Sequence, residues 1–152
     1  MKHFLYWLIL IFLSFILQGR LSVIGVPLDL TTLLVYYAGT RYGQTKSLLL
    51  GGAIGALEDI LSSTILGPNM LAKGIIGFSV PFFTSGGFFR WTPLLGIIAV
   101  SFFTLIDNTI VFMARSLFDT MPTAISNALF IAVMQSLLNA PAGIFIRPDH
   151  AD

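Results

Sequence analysis

The chain has 152 residues, of which 56% are hydrophobic and 10% charged, and its formal net charge is +1. Its mean hydropathy is +0.90, whereas soluble domains carry about 25% charged residues. We therefore predict that residues 1–152 form a single integral membrane domain, an all-α polytopic protein. No basic cluster suggests nucleic acid, and the absence of cysteine excludes disulfides, thiolate catalysis and cysteine-ligated metals.

Six apolar segments approach the length of about 20 residues that a membrane span needs. Residues 3–19 could be a signal peptide, but the lack of a small-residue cleavage site favours an uncleaved span. The second span, residues 22–40, is interrupted by Pro27, which predicts an extended or re-entrant segment up to Leu28 and then a helix. Asp29 either caps that helix or lies at the membrane surface without a capping role. The remaining spans are predicted at residues 45–63, 70–84, 93–114 and 122–145.

The distribution of positive charge predicts the orientation of these spans. Six spans place both termini on one side of the membrane. With that side cytoplasmic, only Arg20 and Arg115 lie clearly outside, and five basic residues lie inside: Lys2, Arg41, Lys46, Arg90 and Arg147. Because cytoplasmic loops carry an excess of lysine and arginine, we predict a multi-pass protein of the plasma membrane with cytoplasmic termini.

Small and polar residues recur at every fourth position of the third span: Ser47, Gly51, Gly55, Asp59 and Ser63. On a helix this spacing places them on one face. Such a face lets another helix approach closely. Gly74 and Gly77 of the fourth span are predicted to serve the same packing.

Charged residues within the spans are candidate site residues, because each costs a few kcal/mol at membrane depth. Glu58 and Asp59 lie near the outer end of the third span. If the third and fourth spans form a hairpin about Gly67, Lys73 lies at a similar depth. We predict an Asp59–Lys73 ion pair, with Glu58 as the competing partner. The alternative is that Lys73 reaches the interface while the carboxylates face a wet crevice.

The fifth span contains a second polar site, Asp107 followed by Asn108. In the predicted topology Asp107 lies in the outer half of its span. We therefore predict one intramembrane polar cluster, which comprises Asp29, Glu58, Asp59, Lys73, Asp107 and Asn108. The alternative is that Asp107 and Asn108 make an isolated polar contact between helices. Three amide side chains of the sixth span are predicted to hydrogen-bond between helices: Asn127, Gln135 and Asn139.

Little in the sequence indicates catalysis. His3 and His150 lie at the two ends, and no histidine metal motif, nucleophile elbow or phosphate-binding loop is present. Asp59 and Asp107 could form an aspartyl dyad, but the residues around Asp59 depart from the lipoprotein signal peptidase pattern. We predict a protein that is not an enzyme, with no catalytic residue, bound metal or cofactor.

Four short segments within residues 15–80 follow one another in a specific order: residues 26–30, 37–43, 51–62 and 66–71. They comprise a Pro-Leu-Asp-Leu helix start, a polar loop, a glycine-rich helix ending in acid, and a Leu-Gly turn. This order resembles the MreD family of multi-spanning rod-shape proteins of bacterial cell-wall elongation. Glu58 adds a second acid beside the aspartate of the family pattern.

The resemblance implies a non-enzymatic scaffold in the bacterial inner membrane. Its partners would be the membrane-anchored protein MreC, MreB filaments, the peptidoglycan transpeptidase/glycosyltransferase pair and membrane lipid. The resemblance also implies a fold similar to the S-components of energy-coupling-factor transporters. The alternative function is therefore small-molecule binding in an outward cavity lined by four of the charged residues: Asp29, Asp59, Lys73 and Asp107.

Overall fold

The computed structural model describes residues 2–62, 65–85, 91–118 and 124–148. Over these ranges the regular elements are helices except for one very short hairpin, which confirms that the fold is mainly α-helical. The elements are α1 (Lys2–Arg20), β1 (Ser22–Val23), β2 (Val26–Pro27), α2 (Leu30–Arg41), α3 (Gln44–Leu61), α4 (Pro68–Ser85), α5 (Pro93–Leu117), α6 (Ile125–Asn139) and a 3₁₀ helix (Ala140–Ile144).

The second predicted span is helical over only part of its length. The chain first forms the β1–β2 hairpin, reversing at Ile24 and Gly25, whose φ angles are 56° and 76°. Consecutive left-handed residues are typical of a tight two-residue turn. Asp29 then caps α2 by accepting a hydrogen bond from the Thr32 N–H. The extended segment followed by a helix is thus confirmed, and of the two alternatives for Asp29 the structure shows the helix cap.

The sixth predicted span also differs from the structure. Regular α-helix ends at Asn139, and the chain continues as a 3₁₀ helix containing Pro141. Proline lacks the N–H that would continue the α-helical ladder. Residues 122 and 123, where the span was predicted to begin, lie outside the described residues.

Two segments, Pro93–Leu117 and Ile125–Ile144, are long and apolar enough to cross a membrane. Large apolar side chains are also exposed elsewhere in the isolated chain; Phe12 on α1, for example, is 68% exposed. Extensive exposed apolar surface marks membrane or protein contact sites. Together with the composition, these features point to association with a membrane.

The short helix α2 lies at the centre of the fold and contacts α1, α3, α4 and α5. Most of its residues are buried on all sides, including Leu34, Val35 and Tyr36. A helix buried all round needs no polar face. The core around it is formed by side chains from the neighbouring helices: Trp7, Ile54, Ile76, Val80, Val100 and Phe103.

Helices α3 and α4 are antiparallel neighbours whose backbones touch. The contacting pairs are Ser47 with Gly77, Gly51 with Lys73, and Gly55 with Asn69. A methyl group on any of these three glycines would overlap a backbone carbonyl oxygen of the other helix. The predicted small-residue face is therefore confirmed over Ser47, Gly51 and Gly55, and so is the packing role of Gly77.

The other predicted packing residues have different outcomes. Gly74 makes a looser contact, because a methyl group there would lie 3.9 Å from the Gly52 Cα, an ordinary van der Waals distance. Asp59 lies on the same face but contributes a carboxylate rather than a small side chain. Ser63 lies outside the described residues.

We expect Gly51→Ala to destabilise the protein by about 1–3 kcal/mol, the usual cost of overpacking, because its methyl group would overlap the Lys73 carbonyl oxygen. Gly52→Ala is the matched control, since its methyl group would enter open space and alanine favours helix by about 0.8–1 kcal/mol over glycine. Thermal unfolding of the purified chain in detergent compares the two variants. Equal unfolding temperatures would contradict the tight α3–α4 contact.

Candidate functional site: a buried charged cluster

Four charged side chains meet inside the helical bundle, and we call them the charged cluster: Asp29, Glu58, Lys73 and Asp107. The Lys73 Nζ lies 2.8 Å from Glu58 Oε2, 3.1 Å from Asp107 Oδ2 and 3.9 Å from Asp29 Oδ1. The Lys73 side chain is 1% exposed and that of Asp107 3%. A single ammonium group on α4 therefore connects the start of α2 with α3 and α5.

The predicted Asp59–Lys73 ion pair is wrong. Lys73 pairs with Glu58, the competing partner, and with the two other carboxylates of the cluster. Glu58 and Asp59 are adjacent in sequence, so their side chains point about 100° apart around α3. Glu58 faces α1 and α2, whereas Asp59 faces the beginning of α4. The structure therefore gives the two acids different roles.

The Asp59 carboxylate binds the N-terminal end of α4. It accepts hydrogen bonds from the backbone N–H groups of Gly67 (2.9 Å), Asn69 (3.2 Å) and Met70 (3.2 Å), and from Asn69 Nδ2 (2.8 Å). The first N–H groups of a helix have no partner within that helix, and the helix dipole favours an anion there. Fully buried Asp59 therefore caps α4 from the neighbouring helix.

Two threonine hydroxyls lie between carboxylates of the cluster. Thr31 Oγ1 is 3.0 Å from both Asp29 Oδ1 and Glu58 Oε2. Thr32 Oγ1 is 2.8 Å from Asp29 Oδ2 and 2.9 Å from Asp107 Oδ2. Because a hydroxyl has one proton to donate, each threonine serves two carboxylates with a single donor. Donors are scarce in the cluster, which increases its dependence on Lys73.

Asp107 joins the cluster as predicted, but Asn108 does not. Asn108 is half-buried, and its Nδ2 donates to the backbone oxygen of Thr104 one turn earlier on α5. Asp107 also shares no hydrogen bond with Asp59, which binds α4 instead. The aspartyl dyad considered from the sequence is therefore not formed.

Two predicted amides of α6 bind the chain just before α2. Gln135 Nε2 donates to the Pro27 carbonyl oxygen at 2.8 Å, and Asn139 Nδ2 donates to that of Asp29 at 2.9 Å. These two bonds run from helix to backbone outside the helices. Asn139 Nδ2 also donates to Thr104 Oγ1 of α5 at 3.4 Å, so the predicted bond between helices is confirmed for Asn139. Asn127 lies on an exposed face, and its predicted hydrogen bond between helices stays a prediction.

The sequence reasoning did not assign Gln18, Thr31 and Thr32 to the site. Gln18 Nε2 donates to Glu58 Oε1 at 3.1 Å, and its Oε1 accepts from the Thr31 N–H at 3.3 Å. The spacing of Asp29 and Thr32 matches a helix cap and its third residue, a signal that could have placed Thr32 beside the acid. For Gln18, the only signal in the sequence is that a polar residue lies at the end of an apolar helix.

The cluster joins helices, and the side chains of Asp29, Lys73 and Asp107 are almost fully buried. Three carboxylates and one ammonium give it a formal charge of −2. Three apolar cavities along the described ranges are lined by residues outside the cluster. Among the residues that the structure covers, no group of three or more histidine, cysteine or acidic side chains is arranged to hold a metal ion.

The fold and the cluster define a small helical protein whose central helices are tied together by buried charge. The chain matches no protein-family model, no curated protein and no solved structure. Its function must therefore be inferred from its own residues and contacts.

We expect Lys73→Met to destabilise the protein by about 3–5 kcal/mol, because it leaves buried carboxylates without their cation. Lys46→Met, which changes an exposed lysine on α3, is the control and should be near neutral. Chemical unfolding in detergent measures both. Adding Glu58→Gln to Lys73→Met should recover part of the loss, since it removes one uncompensated charge. Equal stability of the two single variants would contradict the structural role of the cluster.

Proposed function

We propose that this chain is a non-enzymatic scaffold of the MreD type in the bacterial inner membrane. In this role it binds MreC and helps couple MreB filaments to the peptidoglycan synthases. The observation that carries the proposal is the closed charged cluster. Its charged groups bind one another and polar groups of the same chain, across α1 to α5.

A ligand or catalytic site usually presents its polar groups to a cleft. Here Lys73 and Asp107 are almost fully buried, and Glu58, the most exposed member, has a side chain that is 18% exposed. Buried polar groups that bind one another across several helices favour one particular packing of those helices. Such an arrangement suits a protein whose task is to hold a defined shape for partners.

Three of the segments that resemble the MreD family contain residues that cap a helix or allow two helices to pack closely. Asp29, in residues 26–30, caps α2. Gly51 and Gly55, in residues 51–62, allow α3 to touch α4, and Asp59 caps that helix. The turn at residues 66–71 supplies the N–H groups that Asp59 binds. Three of the four segments therefore have a structural reason for their residues, which supports a scaffold rather than a reaction centre.

The proposal includes six membrane crossings with both termini in the cytoplasm. Successive helices would then run in opposite directions, with the β1–β2 hairpin completing the second crossing. This completion is needed because the 12 residues of α2 extend only about 18 Å, against a hydrocarbon thickness of about 30 Å. The lysine and arginine distribution supports the orientation.

The topology is testable because the chain has no cysteine. Single cysteines at Ile65 and Phe118, both exposed positions, should react with a membrane-impermeant maleimide in intact spheroplasts. A cysteine at Lys46, on the opposite side in this topology, should react only after permeabilisation. Labelling of Lys46→Cys in intact spheroplasts, or protection of the other two, would contradict the orientation.

Partner binding is tested by co-purification with MreC from detergent-solubilised membranes of cells that produce both proteins. We expect the unmodified chain and Lys46→Ala to retain MreC, and Asp59→Leu to lose most of it, because α4 would lose its cap. Asp59→Asn, which keeps one acceptor oxygen, should be intermediate. The unfolding temperature of each sample separates loss of the partner from loss of folding.

Two results would contradict the scaffold proposal. One is that the unmodified chain does not retain MreC and that its depletion leaves cell shape unchanged. The other is that Asp59→Leu and Lys46→Ala behave alike, since the buried cap would then have no bearing on assembly.

A second candidate function is that of an S-component which binds a small molecule. It is favoured by the meeting of Asp29, Lys73 and Asp107, three of the four residues expected to line such a site. Against it, the fourth residue, Asp59, is engaged by α4. A ligand of the folded state raises apparent stability, so a saturable rise in unfolding temperature in a screen of vitamins and metal ions would favour this function.

A further inference from the structure

An apolar cavity of about 270 Å³ lies where the end of α4, the start of α5 and the segment after the 3₁₀ helix come together. Its walls are mainly aromatic: Tyr36, Phe83, Trp91, Phe102 and Phe103, with Pro148 beside them. Phe83, Phe102 and Phe103 pack edge to face, with the Phe83 and Phe103 centroids 5.4 Å apart. The volume is near the lower limit of about 300–1,000 Å³ for small-molecule pockets. The cavity therefore fits a single flexible chain better than a large ring system.

Positive charge lies at one side of this cavity. The exposed Arg147 precedes Pro148, and its Cζ is 5.8 Å from the centre of the Trp91 ring. The N-terminus of α5, capped by Thr92, is adjacent. A helix N-terminus carries a partial positive charge that favours anions. The Trp91 Nε1–H is also buried without an acceptor among the described residues.

We propose that this cavity binds an anionic phospholipid, with one acyl chain against the aromatic wall and the headgroup beside Arg147. The inference rests on the proposed membrane embedding, in which this end of the bundle faces the cytoplasm, but not on the proposed partner. Anionic lipids attract basic groups near the cytoplasmic surface. Tryptophan is typical of the interface between headgroup and acyl chain. The charged cluster lies outside this cavity, so the lipid site is separate from it.

The cavity combines an apolar wall with a cation at one side, and this combination selects the ligand. A neutral hydrocarbon would fill the aromatic part but gain nothing from Arg147. A soluble anion would meet the arginine but leave the apolar wall empty. A zwitterionic phospholipid carries its own cation near the phosphate, which offsets the attraction. Only a ligand with an anionic head and an acyl chain uses both parts of the site.

The test uses the two tryptophans of the chain, Trp7 and Trp91. The Trp7→Phe variant leaves Trp91 as a single fluorophore in the cavity wall. The full chain is reconstituted in phosphatidylcholine vesicles that contain a small fraction of bromine-labelled phosphatidylglycerol or, separately, bromine-labelled phosphatidylcholine. Bromine on the acyl chain quenches tryptophan emission only at short range.

We expect the anionic lipid to bind beside Trp91 about five-fold more strongly than the zwitterionic lipid, the effect of one cation near a charged headgroup. Arg147→Gln should remove this preference, whereas Lys46→Gln, which changes another exposed cation, should leave it intact. Ala99→Phe, which fills the cavity from the α5 side, should reduce quenching by both lipids. An unchanged unfolding temperature shows that each variant is folded.

Equal quenching by the two lipids would overturn the proposal, because the cavity would then hold ordinary surrounding lipid. Retention of the preference in Arg147→Gln would also overturn it. Absence of quenching by either lipid would overturn it and would count against membrane embedding as well. If the chain kept its lipid preference but failed to bind MreC, the lipid site would be supported and only the proposed partner would be contradicted.

Discussion

The single ammonium group of Lys73 constrains the arrangement of the central helices. It must reach carboxylates on α2, α3 and α5 at once, because an unpaired charge in an apolar interior is strongly destabilising. The close approach of α3 makes this geometry possible, since the backbone of Lys73 itself lies against Gly51. The position of Lys73 therefore depends on the lack of a side chain at Gly51, which contacts the Lys73 backbone, and on the three acids that surround the Lys73 ammonium group.

The neighbouring acids Glu58 and Asp59 illustrate how a helix assigns different roles to adjacent residues. Glu58 belongs to the charged cluster, where Gln18 and Thr31 also bind it. Asp59 faces α4 and replaces the hydrogen-bond partners that the first turn of that helix lacks. Together they tie α3 to α1, α2 and α4. A pair of acids that would suggest catalysis or transport thus acts as two separate structural links.

Periodicity along one helix predicted the small-residue face of α3. The cap at Asp29 was one of two alternatives offered by the residues after Pro27, and the assumed topology brought Asp107 and Lys73 to a similar depth. The partner of Lys73 was not predicted correctly, because counting residues from a turn gives depth but does not say which face a side chain occupies. The bonds from α6 to the backbone before α2 were also missed. They depend on distant segments meeting, with Asn139 lying 110 positions from Asp29.

The central helix α2 is about half as long as α5, and the chain that precedes α2 is not helical. Helix α2 extends about 18 Å, whereas α5 extends about 37 Å. The hairpin before α2 occupies part of the resulting gap, and Gln135 of α6 holds its backbone at Pro27. Irregular backbone at membrane depth is tolerated where protein buries it and supplies its hydrogen bonds. The hairpin therefore places hydrogen-bonded peptide backbone directly before Asp29, at the end of α2 where that residue joins the charged cluster.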